Sequence, residues 1–305
     1  MRKPRIGMVG LGNIAQKAYL PILSVERDWS FAGAFSPTES KRKEICRRYR
    51  LKEFSSLPSL MEECDAVFVH SSTASHFEVV SELLKKGKDV YVDKPLAATL
   101  SEAKRLVELS EKTKRKLMVG FNRRFAPMYV KAKKAVNEVA WMRIEKHRTD
   151  HVGPASFEFT MLDDYIHLVD TARWLGGQPV LSFNGHAEIN DRGQLVYTHH
   201  CYQLSNQTHL FSAMHRNAGT NLEQIEIVSR DRIVRVKNMD SMELEEQGEI
   251  NIITPSAWET TLKKRGFEGA VSHFIDSITG DTLPAVDGLE ALKTQQIVSE
   301  MIQQG

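Results

Sequence analysis

The sequence predicts a doubly wound parallel α/β domain followed by an α+β domain built on an open, mostly antiparallel sheet. Two observations carry that expectation. Short runs that are apolar on both faces alternate with helical patterns from residue 4 to about 122, as strands covered by helices on both sides require. Past residue 140 the hydrophobic period becomes two, which marks strands with one packed face. The expected domains are therefore 1–122 and 123–305.

In order, the first half reads as the strand "RIGMV", the helix "NIAQKAYLPILSV", the strand "SFAGAFS", the helix "ESKRKEICRRYR", the strand "AVFVHSS", the helix "SHFEVVSELLKKG", the strand "DVYVD", the helix "LSEAKRLVELSEKTK" and the strand "KLMVGF". The alternating runs of the second half are "WMRIEKH", "LSFNGHAEI", "VYTHHCYQL", "THLFSAMH", "LEQIEIVS" and "RIVRVK". A helical tail follows from about Phe267 to Met301. No internal repeat or low-complexity stretch interrupts this order.

Composition narrows the function classes. Of 305 residues, 41% are hydrophobic and 26% charged, which is ordinary for a globular chain long enough for two domains. The net charge of +2, from 41 basic and 39 acidic residues, gives no drive toward nucleic acid or anionic lipid. No apolar run approaches the roughly 20 residues of a membrane span, and "MRKPRIGMVG" lacks the apolar core and cleavage site of a signal peptide. A cytoplasmic protein is expected. Cys46, Cys64 and Cys201 are widely separated and suggest neither a disulfide framework nor a thiolate site. His199, His200, His209 and His215 lack the tight spacing of a metal site, so no metal is expected.

The turn "VGLGNIAQKA" carries the first chemistry. Gly10, Gly12 and Ala15 form G-x-G-x-x-A between a strand and a helix, with Asn13 and Ile14 inside the turn. Gly10 permits the tight turn, Gly12 the close approach of a pyrophosphate, and small Ala15 the packing of helix on strand. This is the pattern of a Rossmann-type dinucleotide-binding domain. At the end of the second strand, where an NAD site offers Asp or Glu to the ribose diol, stand Ser36, Pro37 and Thr38, then Lys41 and Arg42. Glu39 lies past the turn. A hydroxyl and a cation suit a 2′-phosphate, so NADP is expected in preference to NAD; a solvated helix face is the other reading of Lys41 and Arg42.

In "LDDYIHLVD" a helix would bring Asp163, His167 and Asp170 to one face at i, i+4 and i+7. Imidazole titrates near neutrality, so His167 can move the proton that accompanies hydride transfer, with a carboxylate to orient the ring. Asp164 replaces Asp163 in that role if the helix starts one residue later.

Together "GLGNIA", "VHSSTASH", "VDKP", "GFNRRFAP" and "LDDYIHLVD" resemble the Gfo/Idh/MocA family of NAD(P)-dependent oxidoreductases, in wording like that of its MviM-like members. The resemblance spans essentially the whole chain. It implies that Lys94 reaches between nicotinamide and substrate, beside Asp93 where the family has Glu. Pro95 follows, and the peptide before this proline is often cis in the family. It implies that Ser71, Ser72, Thr73 and His76 lie along the cofactor, Ser72 replacing the usual proline, and that Asn122 touches the nicotinamide side. His76 reads equally as a helix residue without chemistry. Arg123 and Arg124 either meet substrate or join the domains. The family's Asp-x-x-x-His maps onto Asp163 and His167, with Tyr165 in place of a glycine, adding bulk or a hydroxyl to the pocket.

The function implied is hydride transfer at a hydroxyl or carbonyl carbon of a sugar, cyclitol or polyol derivative. Lys94, His167 and Asp163 are its catalytic residues. The second domain would bind this small-molecule substrate and, through its open sheet, a further copy of the chain. A cofactor-binding sensor without turnover and an NAD-using glycosidase are the alternatives on the same fold; a sensor has no need of both Lys94 and His167.

Overall fold

In the computed structural model, which describes residues 2–25 and 27–304, the doubly apolar runs become five short parallel strands. These are β1 (Arg5–Val9), β2 (Ser30–Phe35), β3 (Ala66–Val69), β4 (Asp89–Val92) and β5 (Leu117–Val119), in the order β2-β1-β3-β4-β5. Every residue of β3, β4 and β5 is buried, which is why these runs are apolar without alternation. The order reverses between β1 and β3, so their carboxyl ends flank the topological switch point where an open α/β sheet takes its ligand.

The helix after β1 opens with a π-helical turn at Ala15–Tyr19 and continues as α-helix over Leu20–Leu23. Pro21 has no N–H to return to the preceding turn, and a widened turn accommodates that loss. Farther on, Thr99 and Glu102 form a reciprocal capping box that starts the helix Leu100–Thr113.

By its contacts the chain forms two units. The first runs to Phe121 and resumes over Phe267–Gln295; the second is Asn122–Gly266 with the residues from Gln296 on. The sequence reading placed residues 123–305 together. The predicted tail is two helices, Phe267–Thr279 and Gly288–Gln304. The earlier of them groups with the first unit because Phe274 packs on Phe68 at 5.4 Å and Tyr91 at 5.6 Å, and Phe267 on Tyr19 at 5.6 Å.

The second unit holds an eight-stranded sheet. Its strands are β6 (Val139–His147), β7 (Val180–Ile189), β8 (Leu195–Leu204), β9 (His209–His215), β10 (Leu222–Ser229), β11 (Arg232–Lys237), β12 (Ser241–Glu246) and β13 (Glu249–Ile253), in the order β13-β12-β11-β10-β6-β9-β8-β7. Only the β6–β9 pair is parallel. Met142, Ile144, Ile225, Ile227, Val234 and Val236 form its buried face, while Tyr197 and His215 stack at 5.7 Å on the other. On β12, Met242 and Leu244 alternate with Glu243 and Glu245, which pair with Arg235 on the neighbouring strand.

Candidate active site

The turn after β1 is shaped by two glycines with different causes. Gly10 has φ of 90°, and a Cβ there would lie 2.4 Å from the Ser71 amide nitrogen, so the close approach of the β1 and β3 ends demands glycine. A Cβ at Gly12 would meet nothing nearer than the His70 carbonyl at 3.8 Å. The chain's own packing does not require glycine at that position, so the turn is open to a group lying on it. With Ala15 wholly buried against the sheet and Asn13 exposed, the turn fits a dinucleotide pyrophosphate.

At the end of β2, Ser36 is 7% exposed and Lys41 is open to solvent. Arg42 is not a solvated side chain. It is buried, with Nε donating to Glu53 at 2.9 Å and Nη1 to the Ser36 carbonyl at 2.8 Å. Glu39 is held at 2.5 Å by Lys43 one helical turn on.

β4 ends in a fixed corner. The Asp93 amide continues the ladder to the Val69 carbonyl at 2.9 Å, its carboxylate accepts from the Lys94 amide at 3.0 Å, and the Lys94–Pro95 peptide is cis. The sharp end leaves the Lys94 side chain half-buried. His76 is buried behind this corner, with Nδ1 2.9 Å from the Pro95 carbonyl and Nε2 3.3 Å from that of Ser71. A neutral ring donates to one of them, and the shorter contact selects Nδ1–H. Burial pushes His76 below its ordinary value, so its visible role is to clamp the loop after β3 to the corner after β4. Ser71, Ser72 and Thr73 open the helix Thr73–Lys85, and the Ser75 hydroxyl donates to the Ser71 hydroxyl at 2.8 Å.

The second unit rearranges several expectations. Asn122 donates its amide to the Arg265 carbonyl at 2.7 Å and is 4% exposed, so it fastens two segments of one unit. Arg123 forks onto Glu223 at 2.5 and 2.8 Å, and Arg124 onto Asp170 at 2.9 and 2.6 Å. Both arginines are thus spent on buried pairs inside the unit, and Asp170 with them. Asp163 lies exposed on a π-helical turn, Met161–Tyr165, ahead of the helix Ile166–Gly176 that carries His167. This π turn takes the place of the uninterrupted α-helix on which the i, i+4, i+7 spacing rests. His167 is 8% exposed.

Tyr165 does not line a pocket. Its side chain is fully buried against the sheet, where the hydroxyl meets Ser212 Oγ at 2.6 Å and His200 Nδ1 at 2.9 Å. Burial, with His199 adding to it, pushes His200 down to about 4.

Residues 4–121 match the Gfo/Idh/MocA model, described as oxidoreductase family, NAD-binding Rossmann fold. YceM of Salmonella typhimurium is 45% identical over 302 residues, 99% of this chain and 98% of that protein. The chain belongs to the Gfo/Idh/MocA family of oxidoreductases. Residues 127–247 match the model described as YceM-like, C-terminal domain. A crystal structure of the dehydrogenase MviM from Clostridium difficile is 42% identical, covers 99% of both chains and superposes with a TM-score of 0.96. An inositol 2-dehydrogenase of Paracoccus denitrificans is 35% identical over 181 residues, 56% of this chain and 54% of that one.

Sequence reasoning about this Gfo/Idh/MocA member missed one group of residues. Lys146 and Glu223 are paired across β6 and β10; Asp164 bonds both Lys146 and Arg216. A signal was present. Period two puts Lys146 in phase with Met142 and Ile144, and Glu223 in phase with Ile225 and Ile227, so each charge occupies a core-facing position. No helix among the described residues is long and apolar enough to cross a membrane.

Proposed function

We propose that the protein is a dehydrogenase that moves a hydride between a nicotinamide dinucleotide, NADP in preference to NAD, and a hydroxyl-bearing carbon of a sugar, cyclitol or related polyol. The observation that carries this reading is the corner at Asp93–Pro95. It sets a half-buried lysine at the carboxyl end of β4 in the sheet whose glycine turn fits the dinucleotide. The bound nicotinamide supplies the hydride chemistry. Lys94 donates to the reacting oxygen and stabilises its developing negative charge. His167 takes or returns the hydroxyl proton, with Asp163 as its orienting carboxylate. NADP preference is supported by Ser36 and exposed Lys41 at the end of β2, and by the engagement of Glu39 with Lys43 and of Glu53 with Arg42. The polyol class is supported by likeness to an inositol 2-dehydrogenase.

The test is a pair of variants assayed against a sugar and polyol panel. His167→Ala should leave cofactor affinity nearly intact and lower turnover by roughly 10² to 10⁴. Lys94→Ala should weaken both turnover and cofactor affinity. A His167→Ala protein that keeps most of its rate removes the assignment, and a wild type that turns over nothing in the panel favours the sensor.

A further inference from the structure

The second unit buries more positive than negative charge at one end of its sheet. Lys146, at 2% exposure, and Arg123, at 4%, lie deepest with Glu223, also at 4%. Arg216, at 8% exposure, and Asp164 come next toward solvent. Two further guanidinium groups complete the edge. Arg148 interacts electrostatically with Asp164 and with Arg265, and Arg265 with Glu223 and Arg123. Among the described residues neither Arg148 nor Arg265 forms an ion pair: the Arg148 side chain reaches only the His147 carbonyl at 3.4 Å.

Five cations therefore meet two carboxylates. Three of these cations, Lys146, Arg123 and Arg216, are buried, and a network serving only to fasten helix to sheet has no use for the third, because each unpaired charge brought out of water costs free energy that packing must offset. Arg148 is half-buried and Arg265 exposed, so their guanidinium groups are open to a ligand. Here the surplus is built in. The Asn122 amide fixes the Arg265 carbonyl, and Gly266, with φ of 80°, lets this segment press onto the Asn122 carbonyl, which a Cβ would approach to 2.2 Å. Strand β6 presents Lys146 two residues before Arg148. The electrostatics agree with the count. Burial, reinforced by Arg123, pushes the Lys146 ammonium down to about 8 despite Asp164 and Glu223. Loss of hydration and then Arg123 push Arg265 below its ordinary value.

We propose that this edge binds an anionic oxygen group of the substrate, a carboxylate or a phosphate, with Arg148 and Arg265 as its ligands. The buried Lys146–Asp164–Arg216 group holds the positive field behind them. The inference rests on the polyol dehydrogenase reading and narrows it: the substrate is an acidic sugar derivative, a sugar acid or a sugar phosphate. Guanidinium groups suit such oxygens because their planar donors match the geometry of both groups.

The test uses the full chain at fixed ionic strength set with chloride. Malonate and inorganic phosphate serve as probes of the bare anionic groups, and D-glucuronate, D-glucose 6-phosphate and D-glucose as sugars. Thermal midpoints and calorimetric titrations are read, with NADPH binding measured in parallel. Malonate or phosphate should raise the wild-type midpoint, and the matching charged sugar should bind at least about tenfold more tightly than glucose. Arg148→Ala and Arg265→Ala should each lose about tenfold or more of that affinity, the worth of one charged hydrogen bond, with NADPH affinity unchanged. A midpoint shift from malonate alone assigns a carboxylate, from phosphate alone a phosphate. Equal responses of wild type and variants, or no response beyond chloride, overturn the proposal. Anion binding without NADPH binding would sink the dehydrogenase reading and leave the anion site standing, whereas turnover of a neutral sugar without an anion response would do the reverse.

Discussion

Arg124 grips Asp170 through two hydrogen bonds, Nε to Oδ2 at 2.9 Å and Nη2 to Oδ1 at 2.6 Å, with both side chains at most 5% exposed. A carboxylate that shares a sequence motif with His167 is thereby committed to structure. Removing one partner strands the other as a buried charge, so Arg124→Met and Asp170→Ala should each destabilise the second unit by about 3–5 kcal/mol. Urea unfolding measures this. The double variant should recover part of the loss, and additive losses would show that the pair is not coupled.

Gly10 and Gly12 should separate folding from binding. Gly10→Ala forces a side chain into a left-handed conformation and onto the Ser71 amide, at a cost of about 1–3 kcal/mol from the backbone alone. Gly12→Ala should fold with a stability change within about 0.5 kcal/mol yet lose dinucleotide affinity. Thermal melts with and without NADPH distinguish the two, and a Gly12→Ala protein that binds NADPH like the wild type would contradict the role of the turn.

Lys41 is exposed while Arg42 is bound to Glu53 and to Ser36. Lys41→Ala should narrow the preference for NADPH over NADH by roughly 1.5–3 kcal/mol, the value of a charge-assisted hydrogen bond. Fluorescence titrations give both affinities. Identical NADPH and NADH curves for the wild type would remove the preference itself.

His70 is stacked 3.9 Å from Tyr19, and neither ring nitrogen has a hydrogen-bond partner among the described residues. Burial, with His76 adding to it, pushes its imidazole down to about 3. The folded value lies below the unfolded one, so this contribution to stability is present above pH 6.5 or so and is lost as pH falls toward 3, because the unfolded chain binds a proton that the folded chain refuses. Stability should therefore decline from about pH 6.5 to 5, before the carboxylates titrate. His70→Leu should remove up to about 1.4 kcal/mol per pH unit of that decline. An unchanged slope in this variant would exclude His70 as its source.

Tyr165→Phe tests whether the family's glycine position has become part of the core. Loss of the hydroxyl leaves the buried Ser212 and His200 atoms short of a partner, a cost of about 1–3 kcal/mol. Activity per folded molecule should stay unchanged. A selective rise in KM would instead return Tyr165 to the pocket.

The sequence by itself determined the parallel sheet, the glycine turn, the lysine corner and six of the eight strands of the second sheet. All of these are local: apolar periodicity, a φ that only glycine tolerates, and a proline that ends a strand act through neighbours in the chain. The assignment of individual charges was a different matter. Arg42, Asn122, Arg123, Arg124, Asp170 and Tyr165 were legible as polar residues near motifs, yet each is consumed by a partner 6 to 143 positions away. Only the tertiary structure decides which polar groups meet, because pairing depends on strand register and helix phase, and a single π-helical turn at Met161–Tyr165 is enough to reset the phase of the helix that carries His167. The surplus of cations around Lys146 follows from the same cause: their spacing along the chain is irregular, and only the fold brings Arg123 from a 3-10 turn and Arg265 from a helix end to the edge that holds Lys146.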